Sequence, residues 1–193
     1  MSGNTSATGG YLTPVNAAVP EDDALADLLQ AAIAGITGIA GTLVRPRWQS
    51  SPPPQPPAST TWAALGVIAE VPDDGPYIEH DGAADGGLGL DYLQRHIRLD
   101  VLVTFYGPAA QGMAGVFRDG VTIQQNLEVL ALSNIAHVAT GEPIHVSDLI
   151  SAQWIARVDV PWTLRRQVDR TYQVRNLNAA DGFVNNQPWE VEP

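Results

Sequence analysis

The sequence predicts an α+β domain, an antiparallel β-sheet with flanking helices. Three observations carry that reading. Apolar residues recur at i, i+3 and i+4 spacing from Leu25 to Ile39, the stripe of an amphipathic helix. Residues 91–106 alternate apolar and polar with period two, as a long strand with one dry face does. Along the chain the patterns run helix, strands, helix, strands, with no internal repeat.

Residues 1–20 are small, polar and Gly-rich and read as a flexible arm. Glu21, Asp22 and Asp23 open the first helix, about 21–40, with acid at the positive end of its dipole. Gly41 is its expected stop. Arg45-Pro46-Arg47-Trp48 suits an edge strand. The five prolines between Pro52 and Pro57 read as a stiff loop between strands, or as a polyproline ligand. Trp62–Val71 reads as a buried strand, residues 72–75 as a turn, and Tyr77–Asp81 as its short partner. A glycine-rich loop spans 82–89. In the long strand Leu93, Ile97, Leu99, Val101, Val103 and Phe105 share one face. Pro108 suits the first turn of a second helical region, about 108–132, which Asp119-Gly120 divides. A second long strand, 152–160, turns Trp154, Ala156, Val158 and Val160 inward and Arg157 and Asp159 outward. Pro161 is expected to bend or bulge it before 164–177 continues. The domain organisation is therefore an arm (1–20), one α+β domain (21–177) and a polar C-terminal tail (178–193).

Of 193 residues, 45% are apolar and 16% charged, which fits one domain with a real core. There are 21 acidic residues against 10 basic ones, a formal net charge of −11, and every base is Arg. Such a surface does not grip nucleic acid by neutralising phosphates, although DNA can slide past it. Without Lys there is no P-loop lysine, Schiff base or Ser–Lys pair. Without Cys there is no disulfide, thiolate metal site or cysteine nucleophile. The first 20 residues lack the basic and apolar regions of a signal peptide, and no run approaches the ~18 apolar residues of a membrane helix.

Few patterns point to chemistry. Residues 86–91 (GGLGLD) match one copy of a calcium nonapeptide, which needs stacked repeats to share the ion. Asp73, Asp74, Glu79, Asp81, Asp85 and Asp91 form an acidic loop region. They miss the EF-hand spacing and read either as a solvated hairpin or as a calcium-dependent binding module. The four histidines show no HxH or HxxxH pairing. His80-Asp81 is a conceivable base and orienter for a hydrolase, but no GxSxG elbow accompanies it. No catalytic residue, metal or cofactor is assigned.

Charge is segregated. Residues 70–91 hold seven acids and no base, and residues 157–175 hold five arginines against two aspartates. These surfaces either meet head to tail between copies, meet within one subunit, or remain solvated.

One ordered set of residues remains. It comprises Arg45-Pro46-Arg47-Trp48-Gln49 before a proline loop, Gln94-Arg95-His96 opening a strand that ends Phe105-Tyr106-Gly107-Pro108, Arg118-Asp119-Gly120, Gln125-Asn126, Arg157-Val158-Asp159-Val160, Leu164-Arg165-Arg166 and Arg170-Thr171-Tyr172. Over roughly residues 22–180 this set resembles the neck and tail terminator proteins of tailed bacteriophages. The resemblance implies a tail-terminator-like fold and a non-enzymatic virion protein that assembles in the host cytoplasm. It implies a ring of self-copies, typically six, that ends the tail tube. The implied partners are the tail tube protein and the head–tail connector or head completion protein; double-stranded DNA passes through without specific binding and no membrane is involved. Another head–tail joining or tail completion protein is the neighbouring alternative. Arg45, Arg47, Trp48, Arg118, Arg157, Asp159, Arg165, Arg166 and Arg170 are the candidates for the subunit interface.

Overall fold

The computed structural model describes residues 11–150, 153–175, 180–184 and 187–191. In chain order its elements are helix α1 (Asp22–Thr37), a 3₁₀ turn (Gly41–Leu43), β1 (Val44–Pro46), β2 (Trp62–Pro72), β3 (Tyr77–Asp81), a single turn α2 (Ala84–Gly87), β4 (Leu90–Tyr106), α3 (Ala110–Gly120), α4 (Gln124–Ala131), β5 (Ile135–Thr140), β6 (Ile144–Ile150), β7 (Gln153–Gln173), and β8 (Ala180–Val184) with β9 (Gln187–Val191). Seven strands form one sheet in the order β1-β2-β4-β7-β5, with β3 also on β4 and β6 also on β7. β2–β4, β3–β4, β5–β7 and β6–β7 are antiparallel. The short edge pair β1–β2 is parallel. The architecture is the α+β class expected.

The chain divides into two compact units. The larger holds Val19–Asp74 and His96–Val168. Its core lies between one sheet face and the helices. Leu25, Leu29 and Ile33 of α1, Ala114 and Phe117 of α3, and Leu130 of α4 pack on Leu99, Val101, Val103 and Phe105 of β4 and on Val158, Val160, Trp162 and Leu164 of β7. Trp162 meets the Phe117 ring edge-on at 5.2 Å, and Phe117 meets Phe105 at 5.8 Å. Burying each large apolar side chain contributes about 1.5–3 kcal/mol.

Several local expectations are corrected. The first helix ends at Gly38, not Gly41. Gly38 takes a left-handed φ of 72° and its N–H bonds the Ala34 carbonyl at 2.9 Å, the ordinary glycine C-cap. The second helical region divides at Asp119-Gly120 as expected, with α3 ending at Gly120 and α4 beginning at Gln124. Only the first half of β2 is buried. A bulge between Val67 and Ala69 in its pairing with β4 leaves Ile68 exposed, and no residue from there to Pro72 is buried.

In β7 the expected parity holds from Val158 onward, but Trp154 is 73% exposed and Ala156 is exposed. The core ends at Val158, so the same face carries those two positions into solvent. Asp159, expected outward, is only 9% exposed. β7 does not break at Pro161. Its neighbour changes there instead, with Trp162 opposite Thr140 of β5 and Asp159 opposite Ile144 of β6. Proline, which has no N–H to donate, thus stands where the adjoining strand turns.

The smaller unit comprises Met1–Ala18, Gly75–Arg95 and Asp169–Pro193. In it β3 pairs with the start of β4, Tyr77 opposite Gln94 and Asp81 opposite Leu90. Residues of the expected arm are tied down there. The Val15 N–H bonds the Thr171 carbonyl at 2.8 Å, and the Thr171 N–H bonds Asn16 Oδ1 at 2.8 Å. Within the expected C-terminal tail β8 and β9 pair as an antiparallel hairpin, with Ala180 opposite Val191. Among the described residues no helix is long and apolar enough to cross a membrane.

Candidate subunit-contact surfaces

The helices cover one face of the larger unit's sheet. The other face carries the even-numbered residues of β4 and the odd-numbered residues of β7. A polar cluster is built there. Asp159 Oδ1 accepts from the Thr104 hydroxyl at 2.6 Å and from Arg157 Nε at 3.0 Å, and Asp159 Oδ2 accepts from Arg157 Nη2 at 2.7 Å. Arg157 Nη1 also reaches Asp148 of β6 at 3.1 Å. Arg47 Nη2 donates to the Thr104 hydroxyl oxygen. Thr104 is fully buried. Burial by itself would push the Asp159 carboxyl up. The hydrogen bonds from Arg157 and Thr104, with the charges of Arg157 and Arg47, outweigh burial and hold it below its ordinary value. The Arg157 guanidinium is driven further toward its charged form, chiefly by its hydrogen bond to Asp159, against the opposing effect of burial.

Beside this cluster Trp62 stacks on Tyr106 at 4.3 Å with 11° between planes. Arg45 lies 5.9 Å from the Trp62 ring and Arg157 lies 6.0 Å from Tyr106, within cation–π range. With Ala64, Ile155, Ala58 and Trp62, Tyr106 forms a second, smaller apolar cluster. These aromatics floor an open cleft of about 680 Å³ whose walls include Arg45, Arg47, Trp48 and the proline loop. The Trp48 indole lies against β2. A Cβ on Gly66 would stand 2.6 Å from Trp48 Cζ3, yet Trp48 remains 68% exposed.

The interface candidates therefore part company. Arg45, Arg47 and Trp48 come together at the cleft. Arg157 and Asp159 bind each other as part of the internal cluster. Arg165 pairs at 2.5 Å with Asp73, so one acid of the acidic segment meets one arginine of the basic segment inside a single protomer. Arg166 is 2% exposed and donates to the Pro20 carbonyl. Arg118 is on the surface with Asp119. Arg170 lies half-buried in the smaller unit. Thr104, Asp148, Trp62 and Tyr106 were not expected as partners. The period-two pattern places Thr104 on the wetter face of its strand but does not show that residues 45–58 come over that face. Asp148 carries no signal, because no sequence pattern marks β6 as a strand.

The acidic loop residues are largely engaged. Asp81 Oδ1 accepts the N–H groups of Ala83 and Ala84, Asp85 accepts from Gln173, and Asp91 sits 2.7 Å from His80 Nδ1. His80 thus pairs with Asp91 across the β3–β4 pair, while Asp81, its chain neighbour, accepts from the loop that follows. Glu79 lies 3.5 Å from the Tyr77 hydroxyl, and Asp74 is exposed. Among the described residues no three histidines or carboxylates gather as a metal site would require.

No curated protein matches the chain. The family model of phage neck terminator proteins matches residues 23–187, most of the chain's length. That span takes in both long strands, the helices over them, and the cleft. The chain belongs to the phage neck terminator protein family, structural proteins of the bacteriophage virion neck.

Proposed function

We propose that the chain forms a ring of six copies at the phage neck, where it ends the growing tail tube and presents its opposite side to the head connector. DNA passes through the lumen during packaging and ejection. The family match over residues 23–187 is the observation that carries this reading. The formal charge of −11 supports the DNA path, because an acidic lumen repels phosphate where a basic one would hold it. The protein works by contact and not by catalysis, and assembles in the host cytoplasm before joining the virion. Its subunit contacts use the exposed Arg and aromatic side chains of the open sheet face, residue types enriched at interfaces.

The test is assembly of the purified full chain, alone and with tail tubes. Light scattering is expected to give the mass of six 20.5 kDa copies, or negative-stain images to show tubes capped at one end. A chain that neither forms rings nor caps tubes would remove the reading. Binding to the connector with no effect on tube length would move it to another head–tail joint.

A further inference from the structure

The cleft has an electrostatic property that its family does not explain. The chain has twice as many acids as bases, yet among the described residues no carboxylate lies within ion-pair distance of Arg45 or Arg47. Besides the Trp62 ring, Arg45 is held by main-chain carbonyls, those of Thr42 at 3.3 Å, Pro53 at 3.5 Å and Pro54 at 2.8 Å. Arg47 donates one nitrogen to the Thr104 hydroxyl, and its charge acts on the Asp159 carboxyl on the far side of that hydroxyl without an ion pair to it. Next to these charges lie the exposed Trp48 and Ile68. An occupant that suits this lining brings carboxylates for the two guanidiniums and an apolar or proline residue for the indole.

We infer that this cleft receives the acidic segment Glu70-Val71-Pro72-Asp73-Asp74 of a second copy of the chain. Every residue of that segment is exposed, and Val71 is a 41% exposed apolar side chain between acids. Asp73 is occupied by Arg165 of its own protomer, whereas Glu70 and Asp74 have no cation within ion-pair distance among the described residues. Two carboxylates without an ion pair, flanking Val71 and Pro72, thus complement two arginines without an ion pair beside Trp48. Ile68 of the cleft and Glu70 of the segment lie two residues apart on β2; a copy that offers its cleft to one neighbour and its segment to another makes a heterologous contact, the kind that closes into a ring when its rotation permits. The inference rests on the ring reading and names its contact.

The test uses the full chain in two variants, Arg45→Glu and the pair Glu70→Arg with Asp74→Arg. Each variant alone is expected to bind itself at least about tenfold more weakly than wild type, because like charges meet at every junction. An equimolar mixture is expected to assemble again, since both kinds of junction then join opposite charges. Arg45→Gln, which removes charge without reversing it, gives an intermediate loss, and circular dichroism checks that every variant is folded. If wild type assembles and Arg45→Glu assembles equally well, or if the mixture does not recover, the contact is wrong and the ring stands. If wild type stays monomeric at every concentration and on tail tubes, both fail together.

Discussion

The two faces of the larger unit's sheet are held by different physics. The helix-covered face is held by apolar packing, with Trp162, Phe117, Phe105, Leu29 and Ile33 sealed there and Arg166 the buried charge at its edge, donating to the Pro20 carbonyl. The opposite face is held by a chain of polar bonds running Arg47, Thr104, Asp159, Arg157, Asp148, with only a small apolar cluster beside it. An apolar face tolerates a lost methylene at a graded cost. A cluster of linked charges does not, because removing one member leaves the others buried without partners. The polar face is therefore well ordered but brittle, and it is the face that carries the cleft.

The largest effect is expected at Asp159. Asp159→Ala should lower unfolding stability by about 3 kcal/mol or more, since buried Thr104 loses its acceptor and Arg157 is left with Asp148 alone. Urea unfolding measures this, and a loss under about 1 kcal/mol would mean the cluster does not hold that face. The carboxyl's depressed pKa adds a pH signature. The stabilisation is complete above the ordinary carboxylate pKa of 3.8 and is lost as pH falls through the lower folded value.

Next is the apolar face. Leu29→Ala should cost about 2–5 kcal/mol, the range for a buried leucine whose site closes only partly. Its hallmark is that the loss is the same at pH 7 and at low pH, whereas the Asp159→Ala loss shrinks as acid protonates the wild-type carboxyl. Equal pH dependence in the two variants would erase the distinction between the faces.

That distinction was only half legible in the sequence. The apolar face is written as periodicity, because Leu25, Leu29 and Ile33, and Leu99 to Phe105, each obey the period of their element. The polar face is written as partners far apart in sequence. Thr104 and Asp159 are 55 residues apart, and Arg47 and Thr104 are 57 apart. No local pattern reports such pairings. Arg157 and Asp159 read as outward-facing interface candidates because alternation tells which face a residue takes but not what comes to cover it. Segregated charge at 70–91 and 157–175 pointed to a contact, and within one protomer it gives the pair Arg165–Asp73. Arg45 and Arg47, which among the described residues have no carboxylate within ion-pair distance, lie outside both segments.

A smaller effect sits at the rim of the apolar core. Trp162 Nε1 donates to His137 Nδ1 at 3.1 Å, which requires that nitrogen to be unprotonated. Burial lowers the His137 pKa from its ordinary 6.5. The unfolded chain therefore takes up a proton as pH drops through 6.5 while the folded chain resists. Stability is full above that pH and falls below it, by at most about 1.4 kcal/mol per pH unit. Denaturant curves at pH 7.5 and 5.5 should show this slope in wild type and lose it in His137→Gln. A slope that persists in the variant assigns it to other groups.

The smallest stability effect is expected at Arg165, and for that reason it is the most useful for assembly. Arg165 and Asp73 are both about half exposed, so Arg165→Ala should cost no more than about 1 kcal/mol. Arg166, its neighbour, cannot serve the same purpose. It is buried against the Pro20 carbonyl, and reversing its charge would unfold the chain before it tested any contact. Breaking the Arg165 pair releases Asp73 in the middle of the segment that we place in a neighbour's cleft. If that placement is right, Arg165→Ala should assemble as well as wild type or better, because a third carboxylate becomes available to Arg45 and Arg47. If Arg165 is itself a subunit contact, the same variant should assemble worse while its melting temperature barely moves. Light scattering at matched concentration separates the two, and weaker assembly would transfer the ring contact from the cleft to the Arg165 surface.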